Sequence, residues 1–512
     1  MNVGDEHSIS CWMKELPRLA ATPLQADTIC DVVVVGSGIA GLSIAYELMR
    51  EGRSVVVIDR GKIGAGMTAR TTAHLASALD DYYSELIAIH GEDKARLYHS
   101  SQVAAIDRIE AICDREHIGA DFARVDGYLF AARPDDLGDL ETEHDACSAL
   151  GIDVAWVERA PIGAVDTGKA LRFSRQARIH PTRYLTGLAH AVITGGGTLY
   201  RDTAYVADRE TDDGVEIETE AGPLIRAKAV AFATNSPVNN RVTVHTKQTP
   251  MRSYVIAGRV PAGSVADVLL WDSLEAYHYV RIQPLDAVHD LLIAGGEDHR
   301  TGEASDMEAR FAALVEWTRE HFPEFGEPDY RWSGQVLEPL DYMPYCGRNP
   351  GSRNIFIHSG DSGQGMTNGV AAALTLVPLL LDAPSRFADL FDPGRKPLTS
   401  SAPLADFVKG QADVARNMAE YVTRGEVAAE DEIEAGAGAI IRQGLHKRAV
   451  YRDPQGAFVR RSASCTHAGC IVHWNPFEHC WDCPCHGSQF APDGAVLNGP
   501  AIHPLASVDE AS

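Results

Sequence analysis

Two short boxes near the end of the chain carry ligand chemistry. The first is Cys465-Thr466-His467-Ala468-Gly469-Cys470 and the second is Cys483-Pro484-Cys485-His486-Gly487-Ser488, with fifteen residues between His467 and Cys483. Each offers a thiolate and an imidazole at short spacing, and two of each could hold a zinc ion tetrahedrally. The second pair, however, is Cys-x-x-His, and each box carries an additional cysteine (Cys470, Cys485) that a four-ligand zinc site does not need. Both features point to an iron–sulfur cluster. The rest of the chain must then give electrons to that cluster or take them from it.

The elements upstream begin with a nucleotide site. Residues 31–35, DVVVV, form a β-branched run suited to a buried parallel strand. Gly36-Ser37-Gly38-Ile39-Ala40-Gly41 follows, then an amphipathic helical pattern and a second strand, SVVVIDR, bearing Asp59 18 residues after Gly41. Gly36, Gly38 and Gly41 allow a tight turn and close approach of backbone to a pyrophosphate. The helix start supplies N–H groups, and Asp59 can accept from ribose hydroxyls. Strand, glycine turn, helix, strand and acid together define a dinucleotide site.

With 512 residues the chain has room for two to four domains, and 45% hydrophobic and 23% charged residues are ordinary for a soluble protein. A formal net charge of −25 argues against nucleic acid or an anionic membrane surface as partner. The start of the chain lacks a basic, then apolar, secretory pattern, and the apolar run from Val370 to Leu381 is too short to span a bilayer. A cytoplasmic location is expected, and a homo-oligomer is compatible with the sequence. Cys11, Cys30, Cys113, Cys147 and Cys346 lack ligand spacing and read as free thiols.

The two C-terminal boxes resemble the Rieske family, in which two Cys hold one iron of a [2Fe–2S] cluster and two His the other. The resemblance implies Cys465, His467, Cys483 and His486 as ligands, and a Cys470–Cys485 disulfide like that of the respiratory-complex members. Those members place a Ser after the His-Gly and a Tyr two residues on; here Ser488 is present and Phe490 replaces the Tyr. Fewer hydrogen bonds to the sulfurs imply a potential in the middle or lower part of the Rieske range, roughly −150 to +300 mV.

The Gly/Thr-rich loop Gly64–His74, and the stretch NIFIHSGDSGQGMTNGVAAALTLVPLL, resemble the D-amino-acid oxidase/sarcosine oxidase/glycine oxidase family across residues 28–395. In that family the first loop wraps the FAD pyrophosphate and the second motif meets the flavin. The resemblance implies FAD contacts from Asp59, Arg60, Thr68, Arg70, Thr71 and Thr72, and from Gly360, Gly363, Gln364, Gly365, Met366 and Thr367. Arg252, Tyr277, Tyr279 and Arg281 resemble the strand residues that line its substrate pockets, although a structural role serves each equally well. Cys346 and His74 occupy positions where some relatives attach flavin covalently. No Lys stands between Lys247 and Lys396, so the flavin-side lysine of oxygen-using relatives is missing.

The expected organisation is an extension over 1–27, an FAD-dependent oxidoreductase module over 28–395, a helix (404–424) and acidic linker within 396–435, and a Rieske domain over 436–512. The fold class is an α/β Rossmann-like FAD domain with a mixed, largely antiparallel substrate-side sheet, plus a small all-β Rieske domain. Residues 82–150 read as mainly helical, 172–191 as strand to helix, and 197–233 as a hairpin returning to the FAD sheet. Function is read as oxidation of an amine or amino acid C–N bond by hydride transfer to flavin. The cluster relays electrons to an external acceptor protein. The rival is a flavin monooxygenase or reductase fed by a donor protein through the cluster. A Rieske oxygenase would need a mononuclear iron domain for which 28–395 leaves no room, and a redox sensor would need no open substrate cavity.

Overall fold

The computed structural model describes residues 6–508 apart from 17–18, 240–242, 397–416, 418–419 and 445. Strand Thr28–Val35 sits inside a mainly parallel sheet between Val55–Ile58 and Leu224–Phe232, with Ile355–Ser359 beyond the latter. The β-branched run forms a central strand because both of its faces are covered. Val32 and Val34 pack on helices Ile39–Arg50, Pro181–Thr194 and Gly365–Leu380. Val33 and Val35 face a second core with Tyr205, Val215 and Ile217 of the expected hairpin.

A second sheet of nine strands holds Gln248–Pro261 between Tyr330–Pro339 and His289–Arg300, with Tyr279–Pro284 next in line. It is antiparallel except where Leu269–Asp272 runs parallel to Ala123–Phe130. That last strand interrupts the region expected to be helical. The helices there are Tyr83–His90, Glu92–Glu116 and Leu137–Leu150, and strand Ala123–Phe130 completes the sheet between them.

The C-terminal part consists of two small antiparallel sheets, one from Gly438–Gln443, His446–Arg452 and Phe458–Ser462, the other from His473–Asn475, Cys480–Asp482, Gln489–Phe490 and Val496–Asn498. The helix expected over 404–424 falls largely outside the described residues; its end is a short turn, Glu420–Val422. The stretch expected as an acidic linker packs on this part of the chain, since Val427 bridges Ile441 and Ile433 is buried with Val450. No helix among the described residues is long and apolar enough to cross a membrane.

A buried ionic seam joins these parts. Arg252 Nη2 reaches Asp482 Oδ2 at 3.0 Å and Oδ1 at 3.1 Å, with both side chains sealed from solvent. Arg70 binds Glu6 at 3.0 Å and Glu478 at 3.1 Å. Ser8 and Ser333 hydroxyls, each at 2.6 Å, donate to the same Glu478 oxygen. Residues 6–12 are therefore structural cement, and Trp12 continues them into the second sheet, beside Val255, Ile293 and Trp332. Removing one partner of a buried pair strands the other charge. Arg252→Ala is expected to destabilise the protein by about 3–5 kcal/mol, seen as a lowered urea midpoint in tryptophan fluorescence. An unchanged midpoint would remove the pair from the seam.

Candidate functional site

One cavity takes its lining from both large sheets and from the first βα turn. It is lined by Gly36 and Gly38, by Asp59 and Arg60, by Thr68 to Thr72, and by Gly363 to Met366 at the head of helix Gly365–Leu380. Gly36, at φ +107°, passes so close to the neighbouring strand that a Cβ would stand 2.3 Å from Ala233 O. Gly41 is similarly forced, 1.9 Å from Gly36 O. Asp59 accepts from Ser37 N at 2.8 Å and Gly61 N at 3.0 Å, which fixes the acid at the tip of its strand. Thr68 Oγ1 accepts from Ile39 N at 3.0 Å and so ties the Gly/Thr loop to the helix start. Gly363 is at φ +75°, where a Cβ would meet Asp80 Oδ2 at 2.6 Å. Gly360 abuts Pro339, and Thr367 Oγ1 donates back to Gln364 O, so these two shape the closing turn without lining the cavity.

The four expected substrate-side residues divide in two. Tyr277 and Tyr279 line the cavity, donating to or sharing hydrogen bonds with Asp80 Oδ2 and Ser253 Oγ, both at 2.7 Å. Arg252 belongs to the seam with Asp482, and Arg281 is buried among backbone carbonyls of Ala73 (2.8 Å) and Ile179 (3.0 Å), pinning the Gly/Thr loop. Arg70 borders the cavity, but its guanidinium is committed to Glu6 and Glu478. His74 faces the cavity with Nδ1 3.1 Å from Thr72 Oγ1, and burial pushes it down to about 3. Cys346 is a buried thiol, raised by burial, that does not reach the cavity wall.

Beside Asp361, which His358 meets at 2.9 Å, four further carboxyls in the same cavity were not anticipated: Asp80, Asp81, Asp298 and Glu338. Burial raises them, Asp80 to about 6 and Asp81 and Asp298 to about 7; it raises Glu338 far above the usual range, with the other three adding to the rise. Asp80-Asp81 was visible as an acidic pair behind the Gly/Thr loop, but Asp298 and Glu338 lie on separate strands.

The two C-terminal boxes fold as facing loops. Cys465 and Cys483 share a side-chain hydrogen bond, which brings Cys465 down to about 7, and the His467 and His486 rings are 4.9 Å apart. Nδ1 of both imidazoles is buried without a hydrogen-bond partner, and the site therefore offers two sulfurs and two unsatisfied ring nitrogens. That donor set fits a [2Fe–2S] cluster with mixed ligation. Cys470 and Cys485 are joined as a disulfide, so their sulfurs, though within 4.8 Å of Cys483, are not free donors. Ser488 Oγ accepts from Ala501 N at 3.0 Å and is in hydrogen-bond contact with Cys465, while Phe490 is wholly buried. A residue that the sequence did not single out, His245 of turn Thr243–Lys247, brings its ring to 4.7 Å from His467.

The two sites share a wall. Gln335 Nε2 donates to Gly487 O, next to His486, at 2.9 Å, and residues 334–338 of the same strand line the cavity. Leu497, Gly499, Ala501 and Ile502 from the C-terminal part line it as well.

The chain belongs to the FAD dependent oxidoreductase family, whose pattern matches residues 31–379, and a Rieske [2Fe-2S] domain matches 423–509. It is an oxidoreductase that uses FAD and carries a [2Fe–2S] centre. Over 97% of its length it is 31% identical to YhfW of Bacillus subtilis (strain 168), named as a Rieske 2Fe-2S iron-sulfur protein, covering 96% of that chain. It is 27% identical to gamma-glutamylputrescine oxidoreductase of Escherichia coli (strain K12), over 75% of this chain and 91% of that one. Glycine oxidase from Geobacillus kaustophilus shares the fold of the first unit, with a TM-score of 0.61 at 19% identity, over 72% of this chain and 99% of that one.

Two outcomes follow from this geometry. Cys483→Ser is expected to abolish the cluster's visible absorbance and its reduced-state EPR signal; retention of both would exclude Cys483 as a ligand. A carboxyl whose folded value is raised contributes stability below its unfolded value and loses it as pH rises through the folded one. Asp81 and Asp298 go from 3.8 to about 7. The cofactor-free protein should therefore lose stability between about pH 4 and pH 7. Asp81→Asn should flatten that fall in thermal unfolding across the range.

Proposed function

We propose that this protein oxidises the C–N bond of an amine or amino acid and delivers the electrons, through its own cluster, to an external acceptor protein. When bound, FAD supplies a hydride acceptor and the [2Fe–2S] cluster a one-electron carrier. The proposed ligands are Cys465, His467, Cys483 and His486, with Phe490 in place of a tyrosine donor keeping the potential in the middle or lower part of roughly −150 to +300 mV. The glycine turn 36–41, Asp59 and the 363–366 turn form the proposed FAD cradle.

The observation that carries the reading is the shared wall. One strand, Tyr330–Pro339, lines the cavity and also holds the loop of His486 through Gln335. Electrons leaving the cavity then have a route within a single chain. The cavity's carboxyls have a further use. An alkylammonium must lose a proton before its nitrogen lone pair can assist loss of hydride from the adjacent carbon, and carboxyls raised to about 7 are poised to take it. No lysine lines the cavity among the described residues, and Lys247 is turned to Pro393 O and Arg395 O at 3.2 and 2.9 Å, which favours a dehydrogenase over an oxygen-using oxidase. The relative named gamma-glutamylputrescine oxidoreductase supports an amine-type substrate.

Anaerobic mixing of the holoprotein with a panel of amines and amino acids tests the reading, with flavin and cluster absorbance followed together. Bleaching of the flavin followed by reduction of the cluster is the expected result. If no compound reduces the flavin, and NADH with a reductase fills the cluster first, electrons run inward and the chain is a reductase or monooxygenase.

A further inference from the structure

The cavity's charge is more informative than its size. Around the turn at Gly363, four side chains from three different segments present carboxyls to the same space: Asp80 and Asp81 from the loop before helix Tyr83–His90, Asp298 from strand His289–Arg300, and Glu338 from strand Tyr330–Pro339. Asp80 is hydrogen-bonded by Tyr277 at 2.7 Å and Asp81 by Ser362 at 2.8 Å. The other two are less satisfied. Asp298 is in hydrogen-bond contact with Ser253, yet its Oδ1 is buried without a partner, and Glu338 has neither hydrogen bond nor ion pair among the described residues. Buried carboxyls without partners are costly. In an empty cavity they keep their protons, and a cation entering from outside draws them into the charged form.

Among the described residues, no cation of the wall fills that role. Arg70 is held by Glu6 and Glu478, and His358 pairs with Asp361 at 2.9 Å. Arg60 sits beside Ile502 O at 3.3 Å, next to Asp59 in the chain, and His74 is kept neutral by burial. The guanidiniums whose fields reach the cluster from behind the wall are engaged as well, Arg300 with Glu303 at 3.7 Å and Arg310 with Asp306 at 2.9 Å. A guanidinium is the donor best matched to an amino acid's carboxylate. Arg252 and Arg281, the strand arginines that could have supplied one, point into protein.

We infer that the substrate is an amine with at least two cationic nitrogens and no carboxylate, whose distal ammonium is held by Asp298 and Glu338 while Asp80 and Asp81 flank the closing turn. This rests on the proposal that C–N oxidation takes place in this cavity, and it narrows the substrate to one charge class. Asp298 and Glu338 are then specificity-determining residues, because an uncharged alkyl tail in the same place leaves both carboxyls unpaired.

The test is anaerobic titration of the FAD- and cluster-loaded protein with 1,4-diaminobutane, butylamine and glycine, with binding read from perturbation of the flavin absorbance band. The diamine should bind most tightly and glycine least. Glu338→Gln should weaken the diamine by about 30-fold or more, the low end for deleting one partner of a buried charge pair, and leave butylamine within about twofold. Asp298→Asn serves as a second variant should the first fail to fold. Glycine binding as tightly as the diamine, or an unchanged diamine-to-butylamine ratio in the folded variants, overturns the inference. Charge-dependent diamine binding with the flavin remaining oxidised supports the recognition while overturning the C–N chemistry it rests on, so the two failures are distinguishable.

Discussion

The relation between the flavin unit and the cluster domain depends on the pairing of Arg70 and Arg252 with Glu6, Glu478 and Asp482. Two guanidiniums and three carboxyls are withdrawn from water together, an arrangement that survives only if every charge is met. The surplus of acid is relieved at Glu6, which burial raises to about 7, with Glu478 adding to the rise and Arg70 opposing it. Near neutrality Glu6 then shares its proton between states, and the remaining charges are two of each sign. Hydroxyls of Ser8 and Ser333 saturate Glu478, and Asn475 and Gln489 saturate Asp482 at 2.8 and 2.9 Å. A seam of this kind fixes orientation more than it adds stability, since a slip of one ångström leaves ions unpaired.

Fixed orientation matters because the cavity is not the property of one unit. Its far wall is built from residues 497–502, and the strand that lines its near wall also grips Gly487 beside His486. Gly487 must be glycine there: at φ +78° a Cβ would press to 2.6 Å against Gln335 Nε2. Close approach of the cluster loop to the cavity strand is thus written into one residue. His245, with both ring nitrogens buried and unpartnered against His467 and His486, marks the same approach from another direction.

Much of this was readable in the sequence, and the division has a physical basis. The cluster boxes and the βα glycine turn are contiguous, because ligand spacing and tight turns are local properties of the chain. Both sheets, and the strand-to-helix passage at His180-Pro181, followed from periodicity and breaker residues. Strand Ala123–Phe130 escaped notice because its partners lie in Ala170–Arg178 and Leu269–Asp272, far along the chain. Arg252 and Arg281 were left open between pocket and structural roles, because an arginine on a strand looks the same whether it meets a ligand, a carbonyl or another domain. The acidic cavity was hidden for the converse reason. Asp298 and Glu338 are single acids in segments far from the Asp80-Asp81 pair, and only tertiary packing makes a group of them.

The position of the first described residues has a bearing on how the protein comes to be folded. Ser8 and Glu478 are bonded across a separation of 470 residues, so Ser8 is left without this partner until those residues have been made. Contacts of such range form late, after the loop-closure cost has been offset by the sheets on either side. The seam is therefore expected among the later contacts to form, and until it does Glu6, Ser8 and Arg70 lack the partners that join the cluster domain to the rest.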